Sequence, residues 1–131
     1  MAEKILIADD DADICSLLSF ALEDAGYEVQ ICNNGRDVME TAREEKPDVL
    51  ILDVMLPGID GTTIAKRMSE DSDLKEIPIV VITALEASKN LFQPIMQISK
   101  FITKPFNTED LLEAVDNAIK GVEEEDEEIE E

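Results

Sequence analysis

The chain lacks histidine and tryptophan altogether, and it has one tyrosine, two cysteines and only 11 basic residues among 131. Without histidine a zinc site is excluded, because Cys15 and Cys32 alone lack metal-ligand spacing. Both read as reduced, small, partly buried thiols, one in a helix-forming stretch and one at a strand end. The scarcity of Lys and Arg against 32 acids gives a net charge of −21. Binding to nucleic acid or to an anionic membrane needs a basic face, so neither is expected of this chain. Long apolar runs are missing too: Asp53 or Pro78 interrupts each before membrane-spanning length. The first apolar run is short and meets acid at once, unlike a signal peptide. The expectation is a soluble, cytoplasmic protein.

What is present is a chain of one-domain length, 44% hydrophobic, with its apolar residues spread throughout. Residues 1–121 read as that domain. The last ten, "VEEEDEEIEE", carry eight acids and no base, leaving −13 for the remainder. Such a block reads as a solvated, disordered tail, with a docking tail for a basic partner as the rival.

Short β-branched runs alternate with helical periodicity. The runs are 4–8, 28–32, 48–53, 77–83 and 99–103. Between the first two, a helix would carry Ile14, Leu17, Leu18, Ala21, Leu22 and Ala25 inward and stop at Gly26. Further helices are expected over about 35–45, from near Asp60 onward, and from about 107 to 120. Between about 88 and 97, Pro94 allows only a short or distorted helix. Strands apolar throughout are buried on both faces, so five of them alternating with helices predict one parallel sheet covered on both sides. In such an α/β fold, ligands bind beyond the carboxyl ends of the strands.

At those ends stand Asp9 and Asp10, then Asp53, Thr83, and Lys104 followed by Pro105. Any one acid could simply cap a helix, as Asp11 or Asp13 is expected to do. Thr83 alone would be an ordinary strand residue and Lys104 a surface cation. Together they form a cleft in which three carboxylates cannot all stay ionised without a cation. A hard divalent ion such as Mg2+ fits an oxygen donor set and leaves room for phosphate. Lys104 and Thr83 would then contact phosphate oxygens, and Asp53 would be the nucleophile.

The stretches "LIADDD", "LILDVMLPGIDG", "PIVVITA" and "KFITKPF" carry a resemblance. In order and spacing the chain resembles the CheY-like receiver domains of two-component response regulators over residues 4 to about 121. The resemblance implies a doubly wound, flavodoxin-like (βα)5 unit with strand order 2-1-3-4-5. It implies that Asp53 accepts a phosphoryl group from a sensor histidine kinase or a histidine phosphotransfer protein. Asp10, Asp53 and the Met55 backbone carbonyl would ligate Mg2+ (or Mn2+), with Asp9 acting mainly through water. Thr83 and Phe101 would be the switch pair that reshapes the face of the fourth helix, fifth strand and fifth helix. That face would bind an unknown downstream protein, pass on a phosphorelay or support a phosphorylation-linked dimer. The Lys104–Pro105 bond would be cis. The domain would be a signalling module rather than an enzyme, able to catalyse its own phosphorylation and dephosphorylation.

Phe101 has a plainer reading as core, which the residues alone do not separate from a switch. Phe92, Ile95, Met96 and Ile98 could pack inside or form a partner surface. Met55 and Leu85 are apolar where the family helps orient hydrolytic water, so a phosphoryl group not among the shortest-lived is expected. Two rivals remain. An aspartate-nucleophile phosphatase would want an acid at position 55, which is Met. A pseudo-receiver would bind partners without phosphorylation.

Overall fold

The computed structural model describes residues 2–56, 58–83 and 97–121. Five strands run as β1 (Lys4–Ala8), β2 (Glu28–Cys32), β3 (Val49–Asp53), β4 (Ile79–Thr83) and β5 (Ile98–Thr103). The helices are α1 (Ala12–Asp24), α2 (Val38–Glu45), α3 (Gly61–Ser69) and α4 (Thr108–Lys120), with a 3-10 turn at Gly35–Asp37 before α2. The strands are all parallel, in the order β2-β1-β3-β4-β5. This is the doubly wound, flavodoxin-like order. The fourth of the five expected helices, with Phe92, Pro94, Ile95 and Met96, lies outside the described residues, as do Leu85 and the acidic tail.

Alternation along the central strands builds a core on each side of the sheet. Leu6, Leu50, Leu52 and Val81 face α2 and α3, meeting Val38, Ile64 and Met68. Ile5, Ile7, Ile51 and Val80 face α1 and α4, meeting Leu18, Leu22, Leu111 and Val115. Burying each such side chain contributes about 1.5–3 kcal/mol, which is why β3 and β4, buried at every residue, tolerate no polar side chain before their last. Among the described residues, no helix is long and apolar enough to cross a membrane.

Helix ends follow side-chain chemistry. Asp11 caps α1 by accepting from the Asp13 and Ile14 amides. Asp60 and Asn107 cap α3 and α4 through Thr63 and Asp110. Gly26, at φ +101°, follows the α1 cap in the left-handed region open to glycine.

One helix face differs from the expectation. In α1 the buried residues are Cys15, Leu18 and Leu22, whereas Leu17 is 50% exposed and Phe20 73%. Ala25, the cap residue, is exposed as well. The helix is apolar over most of its circumference, so periodicity leaves its rotation undetermined. Packing resolves it by turning the Cys15 side toward the sheet.

Candidate functional site

Parallel strands place all their carboxyl ends along one edge, and the direction of winding reverses between β1 and β3. A crevice opens at that switch point. Asp9 follows β1 there, Asp53 ends β3, and Thr83 ends β4. They are the buried polar or charged residues among those described, at 1%, 5% and 1% exposure. Asp10, the next residue, is exposed. Alternation explains the difference: the strand direction carries on past Ala8, sending Asp9 in and Asp10 out.

The two Asp53 oxygens are oriented separately. Oδ1 accepts from the Met55 amide at 3.1 Å, and Oδ2 faces the Lys104 ammonium at 3.4 Å. Lys104 is itself tied down by its amide, which donates to the Thr83 carbonyl at 2.8 Å, and it enters a cis bond to Pro105. Asp9 Oδ1 accepts from the Asp11 amide at 2.9 Å, while its Oδ2 is buried with no hydrogen-bond partner among the described residues. One carboxylate oxygen each from Asp9, Asp10 and Asp53 lie within 4.8 Å of one another. Burial pushes the Asp9 carboxyl up to about 6, and the Asp53 charge adds to this, against the Asp11 amide and Lys104.

A buried, crowded, partly unpaired carboxylate set is costly as it stands. An all-oxygen donor set of this kind fits a hard divalent cation, and the orphaned Asp9 oxygen is where such an ion or its water would be welcomed. Beneath Asp9, the Cys15 thiol donates to the Asp9 carbonyl at 3.3 Å. Burial and the surrounding acids push that thiol up to about 11, so it is no nucleophile.

Phe101 lies opposite Val81 in the β4–β5 ladder, half-buried against the α2–α3 side of the core. The Met55 side chain is 69% exposed. The sequence reading missed how tightly glycines pack around the site. A Cβ on Gly61 would come within 2.8 Å of the Asp53 carbonyl oxygen. The signal was present in "PGIDG", but which atoms approach the glycine is a tertiary fact.

Comparison with known proteins agrees with this geometry. The family model described as "Response regulator receiver domain" matches residues 5–116. A Chloroflexus aurantiacus chain assigned as a response regulator is 32% identical, with a TM-score of 0.86 over 92% of this chain and 99% of that one. The chemotaxis response regulator CheY4 of Vibrio cholerae is 30% identical, with a TM-score of 0.82 over 90% of this chain and 99% of its own. The BeF3-activated N-terminal receiver domain of Klebsiella pneumoniae RstA is 28% identical, with a TM-score of 0.79 over 90% and 99%. With a family match over most of its length and the strand order observed here, the chain belongs to the response regulator receiver domains of two-component signalling.

Proposed function

We propose that this receiver domain takes a phosphoryl group on Asp53 from a phosphohistidine of a sensor kinase or phosphotransfer protein. The observation that carries the reading is Asp53 itself: it is 5% exposed, flanked by Lys104, and shares its corner with two further acids. In the transfer, an Asp53 oxygen forms a bond to phosphorus as the phosphorus–nitrogen bond breaks. The electron pair leaves on the imidazole, which keeps or gains a proton. The Met55 amide holds one carboxylate oxygen and Lys104 faces the other, so the nucleophile is oriented before the donor arrives. Lys104 and Thr83 would contact the transferred oxygens, the ammonium offsetting the added charge.

Asp10, Asp53 and the Met55 carbonyl would hold Mg2+ (or Mn2+), with Asp9 contributing through water. When bound, the ion supplies neutralisation of phosphate charge. On this reading residues 1–121 are the working domain and 122–131 a solvated tail. The domain is a cytoplasmic signalling module, not a turnover enzyme. Thr83 and Phe101 then couple the phosphoryl group to the face of the segment before β5, β5 itself and α4, where a downstream protein, a relay partner or a second copy binds.

The test is intact mass after incubation with Mg2+ and acetyl phosphate, beside Asp53→Ala. One phosphoryl adduct is expected on the native chain, absent without Mg2+ and absent in the variant. If neither acetyl phosphate nor a phosphorylated kinase gives an adduct, the chain is instead a pseudo-receiver that binds partners constitutively.

A further inference from the structure

The loop leaving Asp53 is seated on a part of the fold that carries none of the three clustered aspartates. Because Asp53 Oδ1 accepts from the Met55 amide at 3.1 Å, the carboxylate's orientation follows the position of Val54–Leu56. The same loop returns through Gly58 and Ile59, and that return rests on the 3-10 turn at Gly35–Asp37. A Cβ built on Gly35 would stand 1.9 Å from the Ile59 carbonyl oxygen and 2.8 Å from both the carbonyl carbon and the amide nitrogen of that residue. All three are backbone atoms, so no rotamer change can make room. Gly35 is buried, and it is not among the glycines with positive φ. Its conformation is therefore open to any residue, and only space demands glycine there.

The neighbouring contact has the opposite logic. Gly58 is at φ +92°, a left-handed conformation, and the position of its missing Cβ lies 3.1 Å from Cγ of Arg36. The two segments thus interlock, Gly35 against Ile59 and Arg36 against Gly58. At the far end, the Gly61 amide donates to the Val54 carbonyl at 2.9 Å, and a Cβ on Gly61 would stand 2.8 Å from the Asp53 carbonyl oxygen and 2.9 Å from the Val54 Cα. That bond ties the two ends of the loop together, with Met55 near one end and Ile59 near the other.

We propose that Gly35 is a positioning residue for the acidic centre. By letting the turn before α2 touch the Ile59 backbone, it sets the height of the loop and, through the Met55 amide, the orientation of the Asp53 carboxylate. For its consequence in phosphoryl transfer the inference rests on the function proposed above. A methyl group at position 35 displaces the loop by roughly 1 Å, and a misplacement of that size costs up to about a hundredfold in rate.

The experiment compares Gly35→Ala with Gly26→Ala. Gly26 has φ +101° and nothing within 4 Å of its missing Cβ, so alanine there strains the fold with no steric push on the site. Three readouts are taken: the Met55 amide resonance in metal-free protein, the half-saturating Mg2+ concentration, and the acetyl phosphate phosphorylation rate by intact mass. Gly35→Ala is expected to move the Met55 resonance, raise the Mg2+ requirement about tenfold and slow phosphorylation about tenfold to a hundredfold. Gly26→Ala should lower the melting temperature and leave all three as in the native chain.

If Gly35→Ala does not fold, Arg36→Ala serves, because it removes an exposed side chain whose stem lies on Gly58. It should move the same resonance and raise the Mg2+ requirement about threefold. The inference is overturned if the folded variant leaves the Met55 amide and the Mg2+ titration unchanged, or if Gly26→Ala alters them equally. A native chain that takes up no phosphoryl group defeats the proposed function instead. The metal-free Met55 resonance then still decides whether Gly35 positions the site.

Discussion

The Lys104 ammonium reaches Asp53 Oδ2 at 3.4 Å from the end of β5, crossing the whole width of β4 to do so. Lys104 is only partly buried and Asp53 nearly fully, so the contact serves the carboxylate more than it anchors the lysine. Replacing Lys104 with Met keeps the apolar stem and removes the charge. Phosphorylation by acetyl phosphate should slow by about a hundredfold, the usual cost of losing one donor to developing charge. A time course of intact mass measures it, and an unchanged rate would remove Lys104 from the proposed chemistry.

Asp9 makes the metal-free protein sensitive to pH. Its carboxyl is raised to about 6 from the ordinary 3.8 of an aspartate, chiefly by burial and then by the Asp53 charge. The folded state therefore binds this proton more tightly than the unfolded chain does. The stability linked to Asp9 is fully present below about pH 4 and is lost as the pH rises through about 6. With chelator present, the melting temperature should rise by about 5 °C between pH 7.5 and pH 5.5. In Asp9→Asn that rise should shrink, while the general effect of a net charge of −21 remains. Thermal unfolding by circular dichroism at the two pH values separates the two contributions.

Metal should relieve the same crowding. If Mg2+ binds the folded state alone, a concentration a hundredfold above its dissociation constant adds about 2.7 kcal/mol of stability. The melting temperature should climb with millimolar Mg2+ in the native chain and much less in Asp9→Asn or Asp53→Ala. A flat response in the native chain would count against the three acids as a metal site.

The sheet and the acids at its edge were legible because burial on both faces leaves continuous apolar runs. The apolar run of "LIADDD" stops with β1 at Ala8, and "DVLILD" stops with β3 at Asp53. The rotation of α1 was not legible, because apolar residues running from Phe20 through Leu17, Ile14 and Leu18 to Cys15 cover more than half of the helix circumference and periodicity selects no single face. The different fates of Asp9 and Asp10 depend on one residue of alternation past Ala8, finer than boundary reading from sequence. Close approaches such as Gly35 to Ile59 join segments far apart in the chain, and composition carries no trace of them.

That α1 rotation gives a direct check. Phe20 is 73% exposed and Leu18 fully buried, two residues apart on one helix. Leu18→Ala should destabilise the domain by about 2–5 kcal/mol through lost burial and a cavity. Phe20→Ser should change stability by no more than about 0.5 kcal/mol, as surface substitutions do. Urea unfolding of both variants tests the packing, and comparable losses would mean that α1 faces the sheet differently.

The side chain at position 55 is expected to affect how long a phosphoryl group on Asp53 would last. The Met55 amide orients Asp53, but the residue's side chain is 69% exposed and is a thioether, a poor hydrogen-bonding group. Hydrolysis of an acyl phosphate needs a water aligned with the phosphorus, and nothing on this side chain can align one. Met55→Asn keeps the backbone amide and adds both a donor and an acceptor beside the phosphoryl group. The half-life of phosphorylated Asp53 should then shorten by about tenfold, the low end of what positioned proton and water contacts contribute. Decay of the adduct after removal of acetyl phosphate, followed by intact mass, measures it. Equal half-lives in the two proteins would mean that water reaches phosphorus by a path that Met55 does not control.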